Sequence, residues 1–136
     1  MKKIRLVLSS NEGRVMASCL IADDSKVIRM LLSKIIFNLG FSVIEAEDGE
    51  DVVELTQLKE PDLIIMDWNL PVMEGIDALY KIRDMNLPRR PKVIFCSANS
   101  DLRRIEQALD GGADDYIIKP FDEDIVATKL TILGLL

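Results

Sequence analysis

The chain has 136 residues, with 17 Lys and Arg against 23 Asp and Glu, and a net charge of −6. That length suits one domain able to bury about two thirds of its unfolded surface without disulfide or metal staples, and the acidic balance disfavours nucleic acid and anionic lipid as partners. Histidine is absent, which removes the commonest zinc ligand, the usual general base and every Ser-His or Cys-His nucleophile pair.

Residues 1–15 open with basic side chains around a short apolar run, IRLVL. That run is too short for a signal-peptide core, and no apolar run in the chain approaches 18 residues, the span of a membrane helix. The segment reads as a poorly ordered extension, and the chain as soluble and cytoplasmic with no membrane insertion. From Met16 onward, β-type runs alternate with helical patterns. The first strand is placed at Met16 to Ala22. Ser25 then stands where an N-cap belongs, and Ile28, Leu31, Leu32, Ile35, Ile36 and Leu39 recur at helical spacing until Gly40 supplies the stop. A second strand at Ser42 to Ala46 leads to a helix over Glu50 to Leu58. Next come a strand at Leu63 to Met66 and a helix over Glu74 to Arg83, then a strand at Lys92 to Cys96 and a helix over Leu102 to Leu109. The last strand, Tyr116 to Ile118, precedes a helix from Glu123 through Ile125, Leu130 and Leu133. All strands but the second are nearly continuous in apolar residues, as parallel strands covered on both faces are. Strands alternating with helices of this length predict right-handed βαβ units and an α/β fold. Cys19 and Cys96 lie inside apolar segments and read as small core residues. The loops NLPRRP (86–91) and DGGADD (110–115) read as simple turns. No repeat or linker interrupts residues 16–136, which leaves no stretch for an output domain.

In an open parallel sheet the functional crevice lies at the carboxyl ends of the strands. Here those ends carry Asp23 and Asp24 after the first strand, Asp67 and Asn69 after the third, Ser97 after the fourth, and Lys119 and Pro120 after the fifth. A carboxylate at the end of a buried strand is costly unless something binds it. Three carboxylates and one lysine leave two negative charges, which a divalent cation would neutralise. With no histidine, oxygen ligands select a hard ion such as Mg²⁺. Held by Asp24 and Asp67, that ion would invite phosphate chemistry.

The sequences IADDS, IIMDWNLPVMEG, VIFCSA and YIIKPF, in this order and spacing, resemble the receiver domain of bacterial two-component response regulators, from about Met16 to the end. The resemblance implies a flavodoxin-like (βα)5 three-layer sandwich whose five parallel strands run in the order 2-1-3-4-5, stand-alone and similar to the chemotaxis regulators. It implies Asp67 as phosphoacceptor, and Mg²⁺ on Asp24, Asp67 and the backbone carbonyl of Asn69, with Asp23 supporting from behind. Lys119 and Ser97 would contact phosphoryl oxygens, and Pro120, at a position usually preceded by a cis peptide bond, would orient Lys119. Ser97 and Tyr116 would form the switch that alters the surface of the fourth helix, fifth strand and fifth helix. The implied partners are a histidine kinase or histidine phosphotransfer protein and a downstream target protein. Such a chain catalyses only its own phosphorylation and dephosphorylation. In that strand order the third strand separates the first from the fourth, so Cys19 and Cys96 are too far apart for a disulfide. A phosphatase using an aspartyl phosphate would need a second aspartate where Asn69 stands. A flavin-binding relative would replace DDSK with a Ser, Thr and Gly-rich loop. A pseudo-receiver, acting by protein binding alone, would leave some reactive positions unfilled.

Overall fold

The computed structural model describes residues 17–136; Met16 and the expected extension at 1–15 lie outside the described residues. In chain order the elements are β1 (Ser18–Ala22), α1 (Lys26–Asn38), β2 (Ser42–Ala46), α2 (Gly49–Lys59), β3 (Leu63–Met66), α3 (Gly75–Asp84), β4 (Lys92–Ser97), α4 (Leu102–Asp110), β5 (Asp115–Ile118) and α5 (Glu123–Ile132). The strands pair in parallel in the order β2-β1-β3-β4-β5, as the resemblance implies.

Alternation along the strands divides the core between two faces. Leu20, Ile64, Met66, Val93 and Phe95 point to one side, where Val52 of α2, Leu79 and Ile82 of α3 and Ala108 of α4 cover them. Cys19, Ile21, Ile65, Ile94, Cys96 and Ile117 point to the other, under Leu32, Ile35 and Ile36 of α1 and Val126 and Leu130 of α5. The result is three layers, with helices on both faces of the sheet. Both cysteines are buried and free, one on β1 and one on β4, with β3 between them.

The expected helical stripe of α1 holds except at Leu31, which is 44% exposed; Arg29 is buried instead. Its Nη1 donates to the backbone oxygen of Asp23 at 2.6 Å and its Nε to Glu45 at 3.2 Å, so a charge enters the interior by satisfying groups already there. Ser25 caps α1 by accepting from the Ile28 amide at 3.3 Å, and Gly40 takes the left-handed conformation with φ +100°.

The two loops read as simple turns are tied together. Arg83 at the end of α3 donates to the carbonyls of Gly112 and Pro91 at 2.9 and 2.8 Å and to Asp114 at 3.1 Å. Asp114 in turn accepts from Arg90 and from the Val93 amide. This clamp holds the amino edge of the sheet. All strands run away from it, so the described chain enters β1 at that edge and leaves α5 there too. Among the described residues, no helix is long and apolar enough to cross a membrane.

Candidate functional site

At the opposite edge, three of the expected residues meet. Lys119 Nζ donates to Asp23 Oδ2 at 2.7 Å and to Asp67 Oδ2 at 2.9 Å. Each comes from the end of a different strand, β5, β1 and β3, so the sheet itself sets their separation. Asp23 and Asp67 are 2% and 8% exposed, and each carboxylate keeps its second oxygen on a local backbone amide. Asp23 Oδ1 accepts from Ser25 N at 2.9 Å, and Asp67 Oδ1 from Asn69 N at 3.1 Å. Such turns fix the carboxylates before any ligand arrives. Burial pulls the Lys119 ammonium toward neutrality, but the hydrogen bonds and charges of Asp23 and Asp67 together outweigh it, so its pKa lies above the ordinary lysine value of 10.5.

Ser97 ends β4 fully buried, and its Oγ accepts from the Asn99 amide at 3.3 Å. Lys119 N bonds the Ser97 carbonyl at 2.9 Å, which ties the lysine's backbone to β4, and the Lys119-Pro120 peptide bond is cis. Tyr116, 6% exposed, already points inward, with its hydroxyl donating to the Asn99 carbonyl at 3.0 Å. Burial pushes its phenol above the ordinary value of 10.0. Asp24 and Asn69 sit exposed beside this centre. Among the described residues, no three acidic or thiol side chains gather into a ready-made metal cluster. A divalent ion here would therefore rest on few carboxylates and complete its shell with a backbone carbonyl and water, as Mg²⁺ does. Two carboxylate oxygens already converge on one cation, the Lys119 ammonium, so the donor chemistry suits such an ion.

Arg29 and Arg104 escaped the sequence reading, whereas Trp68 stands beside Asp67 in the sequence itself. Arg29 steadies the Asp23 carbonyl, and only the unusual buried charge of α1 could have hinted at it. Trp68, next to Asp67, is 4% exposed and packs at a tilt against Phe95, ring centroids 5.5 Å apart, and Phe95 in turn packs at a tilt against Tyr116 at 6.3 Å. Arg104 of α4 lies over the Trp68 ring at 4.6 Å. In addition, Val72 in the loop after β3 has φ +69°, in a turn closed by Met73 N on Pro71 O at 2.7 Å.

Comparison with known proteins accounts for this arrangement. Residues 19–131 match the family described as the response regulator receiver domain. The chain is 40% identical over 108 residues to the chemotaxis protein CheY of Bacillus subtilis, covering 79% of this chain and 88% of that one. Its fold is similar to the chemotaxis response regulator CheY4 of Vibrio cholerae, with a TM-score of 0.80 and 26% identity over 90% of this chain and 100% of that one. It is also similar to the receiver domain of a sensor histidine kinase from Pseudomonas aeruginosa, solved with a magnesium ion coordinated in its active site cleft. There the TM-score is 0.78 and the identity 28%, over 88% of this chain and 99% of that one. By family match, relatives and fold together, the chain belongs to the receiver domains of two-component response regulators.

Proposed function

We propose that Asp67 accepts a phosphoryl group from a phosphohistidine on a partner kinase or phosphotransfer protein. The observation that carries this reading is the Lys119 ammonium bridging Asp23 and Asp67, both buried, at the carboxyl edge of the sheet. An Asp67 oxygen forms the new bond to phosphorus as the phosphorus to nitrogen bond breaks, and the electron pair stays on the leaving imidazole. Lys119, already between the two carboxylates, neutralises charge on the incoming oxygens, and the Ser97 hydroxyl donates to another. Asp24, Asp67 and the Asn69 carbonyl, with Asp23 behind them, would hold Mg²⁺, which supplies charge neutralisation to the phosphoryl oxygens when bound. No second carboxylate stands at Asn69 to activate water, as a phosphatase using an aspartyl phosphate would need. The signal passes through Ser97 and Tyr116. As Ser97 turns to the phosphoryl group, the Tyr116 to Asn99 contact and the surface of α4, β5 and α5 adjust, changing affinity for a target protein.

The test is intact mass after incubation with acetyl phosphate and Mg²⁺, beside Asp67→Asn. Gain of one phosphoryl group by the wild-type chain alone is expected. Gain by both, or by neither, would remove Asp67 as acceptor, and neither would favour a purely protein-binding module.

A further inference from the structure

Among the described residues, Arg104 is a cation held against the turn after Asp67 that the proposed chemistry leaves unused. It occupies the first turn of α4, a turn with no acidic residue, where the helix dipole disfavours positive charge. Its neighbour Arg103 has Asp101 at 3.7 Å; among the described ion pairs Arg104 takes part in none. What holds it is weak: a stacking contact 4.6 Å over Trp68 and one long hydrogen bond, 3.5 Å, from Nη1 to Asn69 Oδ1. Trp68 and Asn69 are the two residues after Asp67, and the Asn69 amide is itself bound to the Asp67 carboxylate. The guanidinium thus rests on the turn that carries the acceptor.

We propose that Arg104 is a second cation of this site, stored on Trp68 at rest and transferred to the phosphoryl oxygens when Asp67 is loaded. The inference rests on Asp67 being the acceptor. A phosphoryl group brings close to two negative charges and three acceptor oxygens. With Asp23, Asp24, Lys119 and one divalent ion counted, about one negative charge is left over, and a planar guanidinium suits phosphoryl oxygens better than an ammonium does. The move has a structural consequence. The first turn of α4 is tied to the site by Arg104 on Trp68 and by Tyr116 on Asn99 just before the helix. Drawing Arg104 away releases one of these ties, so α4 registers the charge state of Asp67 directly.

Beryllofluoride with Mg²⁺, titrated into the whole chain, tests this through the fluorescence of Trp68, the single tryptophan. Arg104→Met should weaken apparent beryllofluoride affinity about fivefold, roughly 1 kcal/mol, and shrink the emission change. Arg104→Lys should recover about half of that loss, because it keeps the charge but not the planar fork. The gap between wild type and Arg104→Met should narrow as salt rises from about 0.05 to 0.5 M. A merely structural arginine would lower the urea midpoint without this salt dependence or rescue by lysine, and that pattern overturns the proposal. Arg104→Met indistinguishable from a wild type that gains its phosphoryl group by mass also overturns it while leaving Asp67 standing. A wild type that gains none removes both.

Discussion

Replacing Gly75 by alanine tests how tightly α3 is built against Asp67. Gly75 is the first residue of α3, and its amide donates to the Trp68 carbonyl at 2.8 Å. A Cβ at this position would stand 2.4 Å from the backbone oxygen of Asp67, 2.9 Å from Phe95 Cε1 and 3.0 Å from Trp68 Cα. Carbon and carbonyl oxygen need about 3.3 Å, so the helix must withdraw by about 0.9 Å. Two of the three obstructing atoms are backbone, which cannot rotate aside. Overpacking of this kind costs about 1–3 kcal/mol, here at the upper end, and the better helix propensity of alanine returns at most about 1 kcal/mol. The net loss is about 2 kcal/mol. For a domain of this size it lowers the urea midpoint by about 1 M at unchanged slope. Because the displaced atoms belong to Asp67 and Trp68, the rate of phosphoryl gain from acetyl phosphate should also fall by about tenfold. A Gly75→Ala protein within about 0.2 M of the wild-type midpoint, about a fifth of the expected loss, and loaded at the same rate, would refute the reasoning.

Three further outcomes follow from the site and its surroundings. Lys119→Met leaves two buried carboxylates without their cation and should cost about 2 kcal/mol at pH 8. Because the lysine pKa is raised on folding, this contribution is complete below 10.5 and disappears as pH climbs through the folded value, so wild-type and variant urea midpoints should converge above that pH and not below it. Val72 is β-branched and 76% exposed with φ +69°, so Val72→Asn should raise stability by about 0.5–1 kcal/mol in the same assay; a loss would show that the loop depends on the valine side chain. Burial pushes the Cys96 thiol up to about 12 and raises Cys19 further. Neither should react with an aromatic disulfide reagent at pH 8 until urea unfolds the chain, and rapid native labelling of either would contradict the packing.

The architecture was legible in the sequence because the continuous apolar strands and the helical period were both clean. Apolar runs and helical stripes placed every element to within a residue or two, and the acids at strand ends located the crevice. The misses share a physical cause. Leu31 and Arg29 are both compatible with the helical stripe, and only the presence of Glu45 and the Asp23 carbonyl beneath α1 decides which is buried. Asp23 and Asp24 are chemically identical neighbours, so which one meets Lys119 depends on the exit angle of β1. The pairing of Arg104 with Trp68 joins a helix and a loop at no regular spacing, and the Arg83 clamp likewise joins the end of α3 to two loops through backbone carbonyls that have no signature in a sequence. Local patterning encodes elements, whereas contacts between loops are settled by tertiary placement.

The shared direction of the strands has a practical corollary for attachment. Both ends of the described chain leave from the clamped edge, and β1, at five residues, separates that edge from Asp67 by roughly 16 Å. A fluorophore, surface tether or fused protein joined at Ala17 or after Leu136 therefore starts on the far side of the sheet from Asp67, leaving the carboxyl edge of the sheet open.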